Sequence, residues 1–148
     1  MKKLFVLTSI FALVLASCSE AENADTAEVD TGEIGKTGPG GGKVFFAQGG
    51  QYKECSGELG AYPWADAVNA AKNHQGGGFT DWRLPDRGEL DLLYQNRTIV
   101  GGFLSVEYWS SAEYSSGSAW GRSFYNNSEF YNGKTSSYRV RAVRAFSL

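Results

Sequence analysis

Between Ser19 and Glu33 the chain reads SEAENADTAEVDTGE: six acidic side chains, no basic one, no aromatic, and Val29 as the single large aliphatic. A stretch of that composition cannot bury enough apolar surface to offset the entropy of ordering its backbone. Its like charges also repel and extend it. The packed core is therefore confined to residues 34–148, and residues 18–33 read as an acidic tether, with a solvated acidic helix as the alternative. Past Ile34 the balance reverses to twelve basic and ten acidic residues, +2 within a chain of total charge −2. That is too little positive charge for a protein that holds nucleic acid by neutralising phosphates, so no nucleic-acid partner is expected.

Ahead of the tether, Met1-Lys2-Lys3 is positive and Leu4 to Ala16 is apolar. Thirteen helical residues at about 1.5 Å each reach roughly 20 Å, short of a ~30 Å hydrocarbon core. Residues 1–17 thus read as an export signal and not as a membrane span. Leu15-Ala16-Ser17-Cys18 resembles the bacterial lipoprotein signal; an ordinary signal with an incidental cysteine is the alternative. The resemblance implies acylation of Cys18 as the mature N-terminus. Ser19 in place of Asp implies sorting to the outer membrane, at the cell surface or on its periplasmic face. Several acyl chains on one cysteine make such anchoring effectively permanent.

Within 34–148 the pattern changes along the chain. Lys43-Val44-Phe45-Phe46-Ala47 reads as a strand closed by Gly49-Gly50. From Pro63, the residues Trp64, Ala67, Val68 and Ala71 recur at helical spacing, and the helix should stop before Gly76-Gly77-Gly78. A second helix should start near Asp86, where Asp86 and Glu89 have capping-box spacing and Leu90, Leu93 and Tyr94 form an apolar face. Strands are expected at 108–111, 119–124 and 138–146. Two helices packed on small antiparallel sheets make an α+β domain.

Little here points to catalysis. Gly38 to Lys43 superficially suggests a phosphate loop, but Thr37 and Val44 stand where that motif needs glycine and a hydroxyl residue. One His and two Cys cannot supply a four-ligand zinc site by themselves, and no EF-hand loop is present. Asp81, Asp86, Glu89 and Asp91 are ordinary residues around a helix start. No metal or cofactor is expected. Cys55 with His74 would make a thiol nucleophile and base only within hydrogen-bond reach; an idle thiol and a solvent-facing histidine are favoured. Arg139 and Arg141 on one strand face would either clamp an anion or pair with local acids, and Arg144 lies on the other face.

Residues 114–138 carry the strongest signal, with seven Ser, four Tyr, three Asn and three Gly in 25 positions. Tyrosine offers a large rigid contact surface with two side-chain torsions, while Ser, Asn and Gly add adaptable hydrogen bonding. The candidate ligand-facing residues are Tyr114, Ser116, Ser118, Tyr125, Asn126, Asn127, Tyr131, Asn132, Ser137 and Tyr138. Trp120 and Phe124 are assigned to the core. An exposed array of hairpin turns is the alternative for the whole stretch.

Four blocks then carry a family resemblance: Ile34 to Phe46, Thr80-Asp81-Trp82-Arg83-Leu84-Pro85-Asp86-Arg87-Gly88-Glu89-Leu90, Tyr108-Trp109-Ser110-Ser111-Ala112-Glu113, and Val140-Arg141-Ala142-Val143-Arg144. The chain resembles the C-terminal domain of the Legionella collagen-like adhesin. The resemblance implies a C-type-lectin-like fold over 34–148 and, for the adhesin itself, trimers that bind sulfated glycosaminoglycans. No collagen-like period occurs in this sequence, so its oligomeric state stays open. The Glu-Pro-Asn and Trp-Asn-Asp patterns of calcium-dependent lectins are absent, and calcium-dependent sugar binding does not carry over. The chain is also similar to the variable proteins of diversity-generating retroelements, whose terminal strands and loops are randomised at adenines. Together these imply a lipid-anchored, non-enzymatic binding protein for an extracellular protein or glycan. The alternatives are an enzyme like the formylglycine-generating oxidases, which share that fold, and a structural envelope lipoprotein.

Overall fold

A computed structural model describes residues 32–148. The expected signal segment 1–17, Cys18 and nearly all of the expected acidic tether lie outside the described residues. The first hairpin joins β1 (Lys43–Gln48) to β2 (Gln51–Cys55). Gly49 and Gly50 both take positive φ, 57° and 76°, as a two-residue hairpin turn requires. The chain's last strand, β8 (Val143–Ser147), returns to pair with β2, giving a three-stranded sheet in the order β1-β2-β8.

Everything between is inserted into that return. β3 (Gly60–Tyr62) leads into α1 (Trp64–Lys72), then a 3-10 turn at Gly76–Gly78. α2 (Arg87–Gln95) and the short α3 (Arg97–Val100) follow. β4 (Glu107–Glu113), β5 (Ser118–Ser123), β6 (Glu129–Gly133) and β7 (Tyr138–Val140) complete a five-stranded sheet in the order β3-β7-β4-β5-β6. The molecule is α+β, as its periodicity indicates. The sheets are not wholly antiparallel, because β4 and β7 run parallel with Tyr108 opposite Arg139.

Side-chain alternation divides the large sheet into two buried faces. Tyr108 on β4 is opposite Arg122 on β5, which is opposite Glu129 on β6, and this face meets α2. Its apolar cluster comprises Phe45, Cys55, Leu90, Leu93, Val100, Tyr108, Phe124 and Val143. On the other face Trp109, Gly121 and Phe130 share one rung, and α1 packs there with Ala67 and Ala71 buried against Trp82, Leu84, Ala119 and Val140. α2 starts as its spacing indicates: the Asp86 carboxylate accepts from Glu89 N at 2.8 Å, and Glu89 accepts from Asp86 N at 2.9 Å.

Three expectations need correction. Residues 138–146 do not form one strand: β7 and β8 belong to different sheets, and Ala142 N donates to Ser56 Oγ at the crossing between them. The physical reason is that Val140 and Val143 must enter different apolar clusters. A third helix, α3, follows α2 after Asn96. Strands β2, β3 and β6 also form where the sequence shows no clean alternation, because their partners complete them.

The glycine-rich loop has a clear physical role. Gly40 N and Gly42 N donate to the Glu54 carboxylate at 2.8 and 2.9 Å. Arg144 donates to the same carboxylate at 2.7 Å and to Asp81 at 2.7 Å. Glu54 is fully buried. The loop therefore cradles an internal carboxylate with the backbone donors that a phosphate loop would aim at a nucleotide. A Cβ on Gly40 would lie 2.6 Å from the Trp82 ring and 2.7 Å from Glu54 Oε1, so a side chain has no room there.

Candidate ligand-binding face

β5 and β6 bring Trp120 and Tyr131 opposite each other on the α2 face. This is a non-hydrogen-bonded pair, in which side chains approach most closely. Tyr114, from the β4–β5 turn, lays its ring on that of Tyr131 with centroids 3.8 Å apart and planes 11° from parallel. Trp120 meets both rings edge-on at 5.4 Å. Tyr114 and Tyr131 remain half exposed, at 51% and 52%. The Tyr114 hydroxyl is pushed up in pKa chiefly by its hydrogen bond with Tyr131. The result is an aromatic platform open to solvent.

Charged residues brace this platform from below. The Arg87 guanidinium lies 4.0 Å from the Trp120 ring centroid and holds Glu129 with two hydrogen bonds, at 3.1 and 2.6 Å. Arg122, almost fully buried, reaches Glu129 at 3.4 Å and Asp91 at 3.1 Å. Glu129 is held below the usual carboxylate range, first by the Arg87 hydrogen bond. Lys134 fastens the neighbouring turns: its Nζ contacts Glu113 at 2.6 Å and the Ser116 carbonyl at 2.9 Å. These contacts fix the positions of the rings without covering them.

The ten candidate residues do not form one patch. Tyr114 and Tyr131 build the platform, with Ser116 and Ser118 at its turn end. Asn132 and Tyr138 lie on the opposite, α1 face, where Asn132 donates to the Tyr138 hydroxyl at 2.6 Å. The Tyr138 ring is half-buried against Trp109 and Phe130, so it serves the core as much as the surface. Ser137 is exposed beside it.

Tyr125, Asn126 and Asn127 sit in the β5–β6 turn, three rungs or about 10 Å along the strands from Trp120. Tyr125 is 77% exposed. Both asparagines serve the turn itself. Asn126 accepts from Ser128 N and Oγ, while Asn127 takes φ 64° and accepts from Arg122 at 2.7 Å through its side chain. Phe124 is core, as its apolar character suggests. Trp120 stands outside both apolar clusters: it is half-buried and forms the centre of the platform. Its alternation with buried Ala119 and Gly121 on β5 is the signal that identifies it.

Other sequence candidates resolve separately. Burial pushes the Cys55 thiol up to about 12, against the pull of nearby Arg141. His74 packs edge-on against Trp82, and no hydrogen bond links it to Cys55. Arg139 faces Glu58 at 3.7 Å and Arg144 pairs with Glu54 and Asp81, so both follow the local-acid reading. Arg141 is buried with its guanidinium 3.8 Å from the Phe103 ring centroid, and no open pair with Arg139 forms. Among the described residues, no group of three or more His, Cys, Asp or Glu is arranged to hold a metal ion. A groove of about 370 Å³, unsuspected from the sequence, runs between α1 and residues 80–84 and is lined by Trp64, Val68, Leu84 and Ser111.

The α+β frame carries a solvent-facing aromatic platform. The model of the Lcl C-terminal domain family matches residues 20–144, beginning within the acidic stretch, and the chain belongs to that family. Membership gives it an adhesin-like surface character. None of the curated proteins matches the sequence.

Proposed function

We propose that the chain is a lipid-anchored envelope protein that binds an extracellular protein or glycan through the Tyr114–Trp120–Tyr131 platform. The observation that carries this reading is the half-exposed tyrosine stack, immobilised by Trp120 and Arg87. An immobilised aromatic surface loses little side-chain entropy when a ligand covers it, so contact area converts efficiently into affinity. Ser116, Ser118 and exposed Tyr125 extend the contact zone. Cys18 supplies the lipid anchor, and the molecule sits on the outer membrane.

This reading is of a binding protein and not an enzyme. The buried, protonated thiol of Cys55 suits packing better than nucleophilic attack. The variable-protein resemblance extends the proposal: residues 114–138 are diversified by a retroelement. A near-copy repeat of the 3′ coding end beside a reverse transcriptase gene would bear that out.

The binding reading is tested by a Tyr114→Ala/Tyr131→Ala double variant, screened against protein and glycan arrays on which the unaltered chain shows a ligand. Binding should fall at least tenfold, with the melting temperature within a few degrees of the original. A large loss of stability would assign the rings to the core. A chain with no ligand on any array would favour a structural envelope lipoprotein.

A further inference from the structure

Helix α1 buries Ala67 and Ala71 and sets Trp64, Val68 and Lys72 four residues apart, on one line along its surface. That line is one wall of the groove of about 370 Å³. Residues 80–84 form the other wall and contribute the buried Trp82 and Leu84. The volume falls within the range of small-molecule sites. None of the residues of the Tyr114–Trp120–Tyr131 platform lines it.

Both walls are held in place by the protein itself. Trp64 Nε1 donates to the Ser110 carbonyl at 2.8 Å, and Lys134 Nζ stands 4.7 Å from the Trp64 ring centroid. Trp82 Nε1 donates to the Gly76 carbonyl at 3.1 Å, and His74 packs edge-on against its ring. Arg83 exchanges backbone hydrogen bonds with Val143 at 3.0 and 2.8 Å, and Ser111 N donates to the Pro85 carbonyl at 2.8 Å. With both indole N–H groups engaged internally, Trp64, Val68, Trp82 and Leu84 present carbon surface to the groove. Fixed apolar walls bind an apolar body without the entropy cost of ordering them.

Three charged groups line the same groove: Lys72, Asp81 and Arg83. Arg83 gives Nη1 and Nη2 to the Glu89 carboxylate at 2.7 Å each. Asp81 accepts from Arg144 at 2.7 and 3.3 Å. Among the described residues, none pairs with Lys72, which is exposed in the last turn of α1. The open charge of the groove is therefore a single cation, at one end of an apolar wall.

We propose that this groove binds a medium-chain carboxylate, its carbon chain along Trp64, Val68 and Leu84 and its head group at Lys72 Nζ. From Trp64 to Lys72 the helix rises about 12 Å, the reach of roughly eight to ten extended carbons. A carboxylate complements the open cation, whereas a cationic head would be repelled and an uncharged one would leave it unpaired. The site does not depend on the platform's having a ligand.

Titration of the full chain with octanoate tests this, followed by NMR at the Trp64 indole N–H and the Val68 methyls, with octanol as the uncharged counterpart. The expected result is saturable one-to-one binding that shifts both signals, with octanoate held about fivefold more tightly than octanol. Lys72→Gln should weaken octanoate about fivefold and leave octanol unchanged, while Lys72→Arg should keep the preference. The Tyr114→Ala/Tyr131→Ala chain should bind octanoate as before. Absence of saturable binding overturns the proposal, whether the acidic segment 19–33 or a second copy fills the groove instead. So does equal affinity for acid and alcohol, unchanged octanoate affinity in Lys72→Gln, or loss of octanoate binding in the tyrosine double variant.

Discussion

At the scale of single residues, two buried carboxylates hold the frame together. Glu54 satisfies Gly40 N, Gly42 N and Arg144 at once. Replacing it by alanine leaves two backbone donors and Nη1 of the buried Arg144 without their acceptor, which should cost about 3–5 kcal/mol in urea unfolding. Glu54→Gln keeps an acceptor and should cost less. Glu89 is the second. Burial alone would raise its pKa, but hydrogen bonds from Arg83, Lys53 and the Asp86 N–H outweigh burial and hold it at about 2 instead of 4.5. Because the folded-state value is the lower one, its contribution is fully present above about pH 4.5. That contribution, up to ~3 kcal/mol, is lost as pH falls towards 2. Glu89→Gln should flatten the stability profile across that window, measured by unfolding at fixed pH. The spacing of Asp86 and Glu89 reveals the capping role of Glu89. Nothing in the sequence reveals that Glu54 is buried, because its three partners come from positions 40, 42 and 144.

At the scale of elements, local chemistry and tertiary pairing share control. α2 is legible because its start signal and apolar face lie within nine residues, and the Gly49-Gly50 turn is legible for the same reason. β6 is not: its Asn and Gly are weak strand formers, and its conformation depends on its ladder with β5. The β5–β6 turn shows how composition misleads. Asn126 and Asn127 resemble contact residues, yet Asn127 is there for its left-handed backbone and its hold on Arg122. Asn127→Ala should therefore cost about 1–2 kcal/mol in thermal or chemical unfolding while leaving ligand binding at the platform unchanged. The reverse outcome, lost binding with stability intact, would return the residue to the contact surface.

At the scale of the whole molecule, the proposed lipid anchor can be tested apart from the fold. A Cys18→Ala chain expressed in a Gram-negative host should leave the membrane fraction and appear as soluble protein with an unchanged melting temperature. Retention at the membrane would show that something other than acylation holds it. The sequence by itself determined the α+β class, both principal helices, the core role of Phe124 and the concentration of tyrosines near the C-terminus. Each of these is set by periodicity, capping or composition within a short window. Tertiary structure alone decided that residues 138–146 serve two sheets and that the glycine loop wraps a carboxylate. It alone divided the tyrosine-rich stretch between opposite faces and ends of β5 and β6, with Trp120 at the centre of the open aromatic cluster. These outcomes depend on which distant strands lie side by side, and alternation within one strand carries no record of what covers either face.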